Sequence, residues 1–405
     1  MKKILIINHA GGSPHHGPNM RWYNLGLALK KKNVEVVIIT SSFFHKYYAI
    51  PEITSEYNSE NIDGLEFKWI KTKRYIAGSF FQIFNQFEFI VKIYRFKKEI
   101  VKLSPDLVIA SSPHPFVFLP AKSIAKSLNI PVAYEVRDLW PEVLVQLNNR
   151  LRFHPYVFLL RLIERHAVNT ANVLMSVKEG DIDYFESFYR KTIENFKFIP
   201  NGLLNEAVSY SAIQPDFTEL RDQYKFLIVY TGAISAYYDI EKVLLVAEGL
   251  KSFRDIGIVL IGDGNKKAQL ATAIVKNESV NVHLLPTRNK SEIFSIIAAS
   301  DACYLTLTEL EINKNGISCN KIYDYMFSSK PIIGHYVSSK YDPIMLSGCG
   351  IVAGFGKESL IIDQVLKWKQ NPDLAKQIGT AGKQFFEKNY EFSAIAEKLK
   401  NELFE

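Results

Sequence analysis

Apolar and polar positions along the first half of the chain follow two periods. Short runs rich in Val, Ile and Leu at residues 4–7, 34–40, 107–110, 132–136 and 173–177 read as buried strands. Between them, residues 19–31, with Trp22, Leu25, Leu27 and Leu29 for packing, and residues 116–128 read as helices. Strands that are apolar throughout and separated by helices indicate a parallel sheet covered on both faces, the doubly wound Rossmann-like arrangement. Around Ile199-Pro200-Asn201-Gly202 the pattern breaks into a polar, turn-prone stretch running to about residue 217. A second series then begins, with strands predicted at 226–230, 256–261, 280–284, 302–305 and 331–334, followed by a last helix over 391–404. The expected organisation is a first Rossmann-like domain over 1–205 and a second over 206–388. A terminal helix, 389–405, is expected to pack back toward the first domain. Two such α/β halves imply a cleft between their strand C-termini, where ligands of open parallel sheets bind.

Composition narrows the class. The 405 residues are 47% apolar and 22% charged, which excludes a disordered chain, a collagen-like repeat and a disulfide-stapled miniprotein. Three cysteines, Cys303, Cys319 and Cys349, do not all pair, and none has metal-ligand spacing. A reducing cytoplasm without structural zinc is the expectation. The apolar run after Met1-Lys2-Lys3 stops at Asn8-His9, too short for a signal core or a membrane span, and no stretch approaches 18 apolar residues.

Several strand ends carry candidate chemistry. The loop after the first strand, residues 8–18, holds Gly11, Gly12 and Gly17, which let backbone N–H groups approach a phosphate or sugar; the alternative is a flexible surface loop. Its spacing is not G-x-G-x-x-G, and no acidic residue ends the second strand, so a dinucleotide ribose clamp is missing. Arg137 and Asp138 sit directly after a strand, where a carboxylate can orient a hydroxyl or accept its proton; alternatively the two only pair with each other. Thr231-Gly232 and Gly262-Asp263 are tight βα turns suited to a nucleotide. In residues 315–326 a Gly/Ser/Asn loop opens a helix bearing Asn320, Lys321 and Asp324. That helix end and Lys321 suit a diphosphate and Asp324 suits ribose hydroxyls, unless the two form an ordinary surface pair.

In order and spacing these segments resemble the family-four retaining glycosyltransferases with the GT-B fold, two Rossmann-like domains facing across a cleft. The resemblance runs through Arg137-Asp138-Leu139-Trp140-Pro141-Glu142, Ile199-Pro200-Asn201-Gly202, Tyr230-Thr231-Gly232, Ile261-Gly262-Asp263-Gly264 and residues 320–333. Within the family the chain is most similar to bacterial O-antigen and capsule enzymes of the N-acetyl-L-fucosaminyltransferase kind. The resemblance implies transfer of a sugar, with an N-acetylated amino sugar among the options, from a UDP-type donor with retention of configuration and without a metal or other cofactor. It assigns acceptor binding to the first domain and donor binding to the second. The implied acceptor is a polyprenyl-diphosphate-linked glycan at the inner face of the cytoplasmic membrane.

Carried over by position, Asp324 matches the second glutamate of the family's Glu-x7-Glu motif, whereas the first falls at Gly316. Glu311 or the Asn315 region are the substitutes considered for it. Arg137 stands where the family often has His, and the usual Arg and Lys after the first strand of the second domain are absent from 233–239. The expected catalytic residues are therefore Asp138, Arg137 and Lys321. The expected donor contacts are Gly11, Gly12, Gly17, Thr231, Gly232, Gly262, Asp263, Arg288, Asn320, Lys321 and Asp324, with Arg288 and Lys321 neutralising the diphosphate. A sugar-nucleotide epimerase of the same fold and a non-catalytic nucleotide-sugar-binding scaffold subunit are the alternatives.

The excess of base, 49 Lys+Arg against 42 Asp+Glu, and the 13% aromatic content are partly localised to residues 71–98. There Phe80, Ile83, Phe84, Phe87, Ile90, Val91 and Tyr94 recur at helical spacing beside Lys92, Arg95, Lys97 and Lys98. This stripe is either core-facing or an interfacial face for anionic lipid, the latter giving peripheral association with the inner membrane. No nucleic-acid-binding motif accompanies it, so a nucleic-acid partner is not expected.

Overall fold

The computed structural model describes residues 1–404. Fourteen strands form two sheets among them. The first sheet holds β1 (Lys2–Asn8), β2 (Val34–Ser41), β3 (Tyr57–Ile62), β4 (Leu65–Ile70), β5 (Leu107–Ser111), β6 (Val132–Val136), β7 (Val173–Ser176) and β8 (Phe196–Phe198). Their spatial order is β3-β4-β2-β1-β5-β6-β7-β8, parallel except for β3 against β4. The second sheet holds β9 (Phe226–Thr231), β10 (Ile256–Ile261), β11 (Val282–Leu285), β12 (Ala302–Thr306), β13 (Ile332–His335) and β14 (Gly350–Ala353). It is wholly parallel, in the order β11-β10-β9-β12-β13-β14. That is the doubly wound 3-2-1-4-5-6 order, whose direction reverses between β9 and β12.

The strands buried on both faces are those whose apolar residues run without alternation: β5, β6, β9, β10 and β12 have no exposed position. The hairpin β3–β4 obeys a different rule. Its turn is Asp63-Gly64, both left-handed at φ 50° and 79°, the two-residue geometry that joins twisted antiparallel strands. β3 is a half-polar edge strand, so a search for apolar runs passes over it.

The chain divides into two compact units, 1–204 with 392–405, and 205–391. In the first, Ile4, Ile6, Trp22, Leu25 and Phe67 form the core with Phe392, Ile395 and Leu399 of the terminal helix Phe392–Phe404. That helix packs on the helix Arg21–Lys30. In the second, Ile228, Ile258, Leu260, Tyr304, Ile361 and Trp368 are buried together.

The stripe of residues 80–94 does not behave as a core face. The helix Phe80–Arg95 buries Asn85, Gln86, Phe89, Ile90 and Ile93. Phe80 is 75% exposed and Val91 65%, and Phe81, Phe84, Phe87 and Tyr94 also face outward. Of the seven stripe residues only Ile90 is buried, because the inward arc is centred on Phe89 and Ile93. No helix among the described residues is long and apolar enough to cross a membrane.

Candidate functional site

In the second unit, β9 and β10 end side by side, and each runs into a glycine. A Cβ on Gly262 would collide with the carbonyl oxygen of Gly232, so the two βα turns approach more closely than any side chain permits. Gly232 also has φ +129°, which an L side chain rarely adopts, and the stem of Lys321 crosses directly over it. These turns, the loop after β11 and the start of the helix Asn320–Phe327 enclose a cavity of about 390 Å³. Thr231, Gly232, Gly262, Asp263, Arg288, Asn320, Lys321 and Asp324 all line it. It sits at the carboxyl ends of the strands beside the point where their order reverses.

Lys321 is 8% exposed, and its Nζ lies 3.2 Å from the centroid of the Tyr238 ring and 5.2 Å from that of Tyr230. Burial pushes its ammonium down to about 8, because little water remains to solvate the charge, while Cys319 and Asp324 pull the other way. Asp324 is likewise buried; desolvation raises its carboxyl, opposed by Lys290 and Lys321. Lys290 Nζ donates to Asp324 Oδ2. The helix Asn320–Phe327 has no side-chain cap at its N-terminus, which leaves its first turn suited to an anion. The cavity thus combines two lysines, one buried carboxylate, a helix N-terminus and two glycine turns.

Arg288 is differently placed from what a diphosphate ligand requires. It lines the cavity, but its guanidinium pairs with Asp216 and lies 3.2 Å from Glu292. Two carboxylates already offset its charge, and Lys290, which sequence reasoning missed, stands beside Lys321 instead. Its only signal was a basic residue opening a helix behind the Asn289 cap, since Asn289 Oδ1 accepts from Glu292 N. Tyr238 was also missed.

Glu311 does not reach this cavity; its carboxylate is exposed and paired with Lys314. Gly316 has φ +98°, so a glutamate there would be strained. The missing first carboxylate therefore goes with a local backbone path that favours glycine.

Gly11, Gly12, Gly17, Arg137 and Asp138 belong to the first unit and line none of this cavity. A Cβ on Gly12 would overlap the carbonyl oxygen of Gly17 and the amide of Asn19, so the loop folds tightly on itself. Arg137 and Asp138 line a separate cavity of about 260 Å³ with His9, Asn19, His45 and Lys46, at the carboxyl ends of β1, β2, β5 and β6. Arg137 does not spend its guanidinium on Asp138: Nη2 donates to Asn19 Oδ1 at 3.0 Å, and burial lowers its pKa. Desolvation by the cavity wall raises the Asp138 carboxyl, opposed by Arg137, Lys178 and Lys46. His9 is buried and held down to about 4, its Nε2 paired with Asn85 Oδ1 at 2.7 Å.

Beneath this cavity lies a buried network that no motif announced. Glu135 Oε1 accepts from Arg21 Nε and Nη2, and Glu135 Oε2 accepts from Trp22 Nε1 and Ser111 Oγ. Arg21 also donates to the carbonyls of Ile199 and Pro200 and to Asn201 Oδ1. Ile199-Pro200-Asn201 therefore anchors a structural ion pair.

No family model and no curated relative matches the sequence. Solved structures do. Sucrose-phosphate synthase from Thermosynechococcus elongatus superposes with a TM-score of 0.69 at 13% identity, covering 99% of this chain and 98% of that one. WaaG, a glycosyltransferase involved in lipopolysaccharide biosynthesis, gives 0.64 at 14% identity with 100% of both chains covered. Anabaena HepE, solved in complex with UDP-glucose, gives 0.65 at 14% identity and 99% of each. Likeness over whole chains at this identity shows the fold, which is α/β and of the GT-B class, with two Rossmann-like domains.

Proposed function

We propose that the chain is a retaining glycosyltransferase that moves a sugar from a UDP-type donor to a lipid-linked glycan in surface polysaccharide assembly. The observation carrying the reading is the cavity at the ends of β9 and β10, where buried Lys321 stands beside a helix N-terminus and Asp324. Lys321 and that helix end hold the diphosphate, and Asp324 accepts the ribose hydroxyls. Asp263 and Asn320 face the donor. In the reaction the acceptor oxygen bonds to the anomeric carbon as the bond from that carbon to the β-phosphate oxygen breaks. The leaving UDP keeps the electron pair and takes up the acceptor's proton on the same face. Lys321 stabilises the charge that develops on the departing oxygen, a role that needs no metal. Arg137 and Asp138 serve the acceptor in the first unit. The likeness in fold to WaaG, a glycosyltransferase, over the full length of both chains is in keeping with this reading.

Association with the inner face of the cytoplasmic membrane belongs to the same proposal. The outward face of the helix Phe80–Arg95 is aromatic, and exposed Phe153 and Phe158 lie in the same unit. Tyr156 ties the helix Pro155–Thr170 to Gln86 at 2.6 Å. Lys73, whose Nζ lies over the Phe84 ring, and Arg74 are exposed nearby, whereas Lys92 and Arg95 are paired with Glu56. The test is a panel of nucleotide sugars with a polyprenyl-diphosphate-linked acceptor on anionic vesicles, with and without EDTA. The product is read by mass and by anomeric NMR. Transfer with retention, unaffected by chelation, supports the proposal. UDP-sugar epimerised with no acceptor consumed, or bound and never turned over, overturns it.

A further inference from the structure

The second unit holds another cavity, larger than the one above. It opens at the other end of the same sheet, where Phe226 begins β9, Asp301 precedes β12 and Pro331 precedes β13, and it measures about 560 Å³. Six residues of β9 at about 3.3 Å each put it roughly 20 Å from the glycine turns. Its floor is apolar, made of Phe226, Pro331, Trp368 and Ala375, all buried.

Its rim is basic. Lys225, Lys330, Lys369 and Lys376 line it against a single acid, Asp301, and that acid is already paired with Arg221. Lys330 Nζ donates to the carbonyl of Ser300 at 2.6 Å, and Lys369 pairs with Asp255. Lys225 and Lys376 are exposed, and Lys225 shares the field of Asp255 with Lys369. Burial lowers the Lys330 ammonium, so charge is held here against a desolvation cost. Trp368, 1% exposed, gives the floor its largest apolar surface, its indole N–H enclosed within the packed core. The helix Pro372–Asn389 also begins at the rim, with Pro372 and Lys376 in its first two turns.

We propose that this cavity is a second ligand site, which binds a small phosphorylated molecule. The phosphate sits among the lysines and the organic body lies on the Trp368 floor. Lysines are compact charges suited to a phosphate dianion, whereas the planar bidentate recognition of a carboxylate favours arginine. The site lies outside the proposed donor chemistry and does not depend on it. The helix Asn320–Phe327 lines the first cavity with Asn320, Lys321 and Asp324, and Ser329 and Lys330, just beyond its end, line this one.

Calorimetric titration of the full chain with inorganic phosphate, and separately with a hexose monophosphate, tests the assignment. Three proteins are compared: wild type, Lys321→Ala, and the double variant Lys225→Glu/Lys376→Glu, whose two positions are surface-exposed. Binding should survive in Lys321→Ala and weaken at least about tenfold in the double variant. Tighter binding of the hexose monophosphate than of free phosphate supports an organic body on the apolar floor, and equal binding overturns that assignment. Phosphate should also slow acetylation of Lys225 and Lys376 relative to exposed Lys276. No binding by wild type, unchanged binding in the double variant, or loss confined to Lys321→Ala overturns the proposal.

Discussion

Lys321 stores a measurable conflict between stability and binding. Its ammonium is pushed from an ordinary 10.5 to about 8, a difference worth about 3 kcal/mol, since each tenfold change in proton affinity is about 1.4 kcal/mol. The sign follows from proton counting. Between about 8 and 10.5 the unfolded chain holds a proton at this lysine that the folded chain has released, so stability rises with pH in that window. Below about 8 both states are protonated and the folded state bears the full cost. Lys321→Met keeps the buried stem and removes the charge, while forfeiting contacts to Tyr238 and Tyr230 worth about 1–2 kcal/mol. The net expectation at pH 7 is a gain of about 1–2 kcal/mol in the second unit. For 187 residues (205–391) that is about 2–8 °C in Tm. Calorimetric melts across pH 7–10 check it: the variant's advantage should shrink as pH rises through about 8, as the wild type sheds its proton. A variant that melts lower than wild type at pH 7, or by a difference that does not change with pH, refutes the reasoning.

His9 makes the opposite statement in the first unit. It is held down to about 4 by burial, so the unfolded chain binds the extra proton between about 4 and 6.5, and stability falls with acid there. His9 alone should contribute about 2 kcal/mol to the loss between pH 7 and pH 5, read from urea midpoints as the amount by which His9→Gln reduces it; buried His114, also held down by desolvation, adds to the loss that remains. Arg21 and Glu135 are 3% and 0% exposed at their side chains, so Arg21→Met leaves a buried carboxylate unpaired and should cost about 3–5 kcal/mol. Arg21→Met/Glu135→Gln should recover part of that loss; a double variant no better than the single would show that the charge is not what matters.

Legibility in the sequence tracked burial. Strands apolar on both faces, such as β5, β9 and β10, are continuous in the sequence and were found to within a residue or two. The edge strand β3 has four consecutive polar residues, Asn58 to Asn61, between Tyr57 and Ile62, and its marker was instead the Asp63-Gly64 turn. The glycine turns at 232 and 262 and the pair Lys321 and Asp324 were readable because their chemistry sits at strand and helix ends close in sequence. Lys290 was not readable, since it meets Asp324 only after 34 residues of chain fold back. The partners of Arg288, and of Arg21 with Glu135, were hidden for the same reason: ion pairs between distant segments leave no local spacing.

The direct test of the donor cavity is calorimetric titration of UDP into the wild type, Lys321→Ala and Asp324→Asn. UDP should bind with proton uptake above about pH 8, because a diphosphate beside Lys321 restores its proton, and each substitution should weaken binding at least about tenfold. UDP affinity equal in all three proteins would contradict the assignment of this cavity.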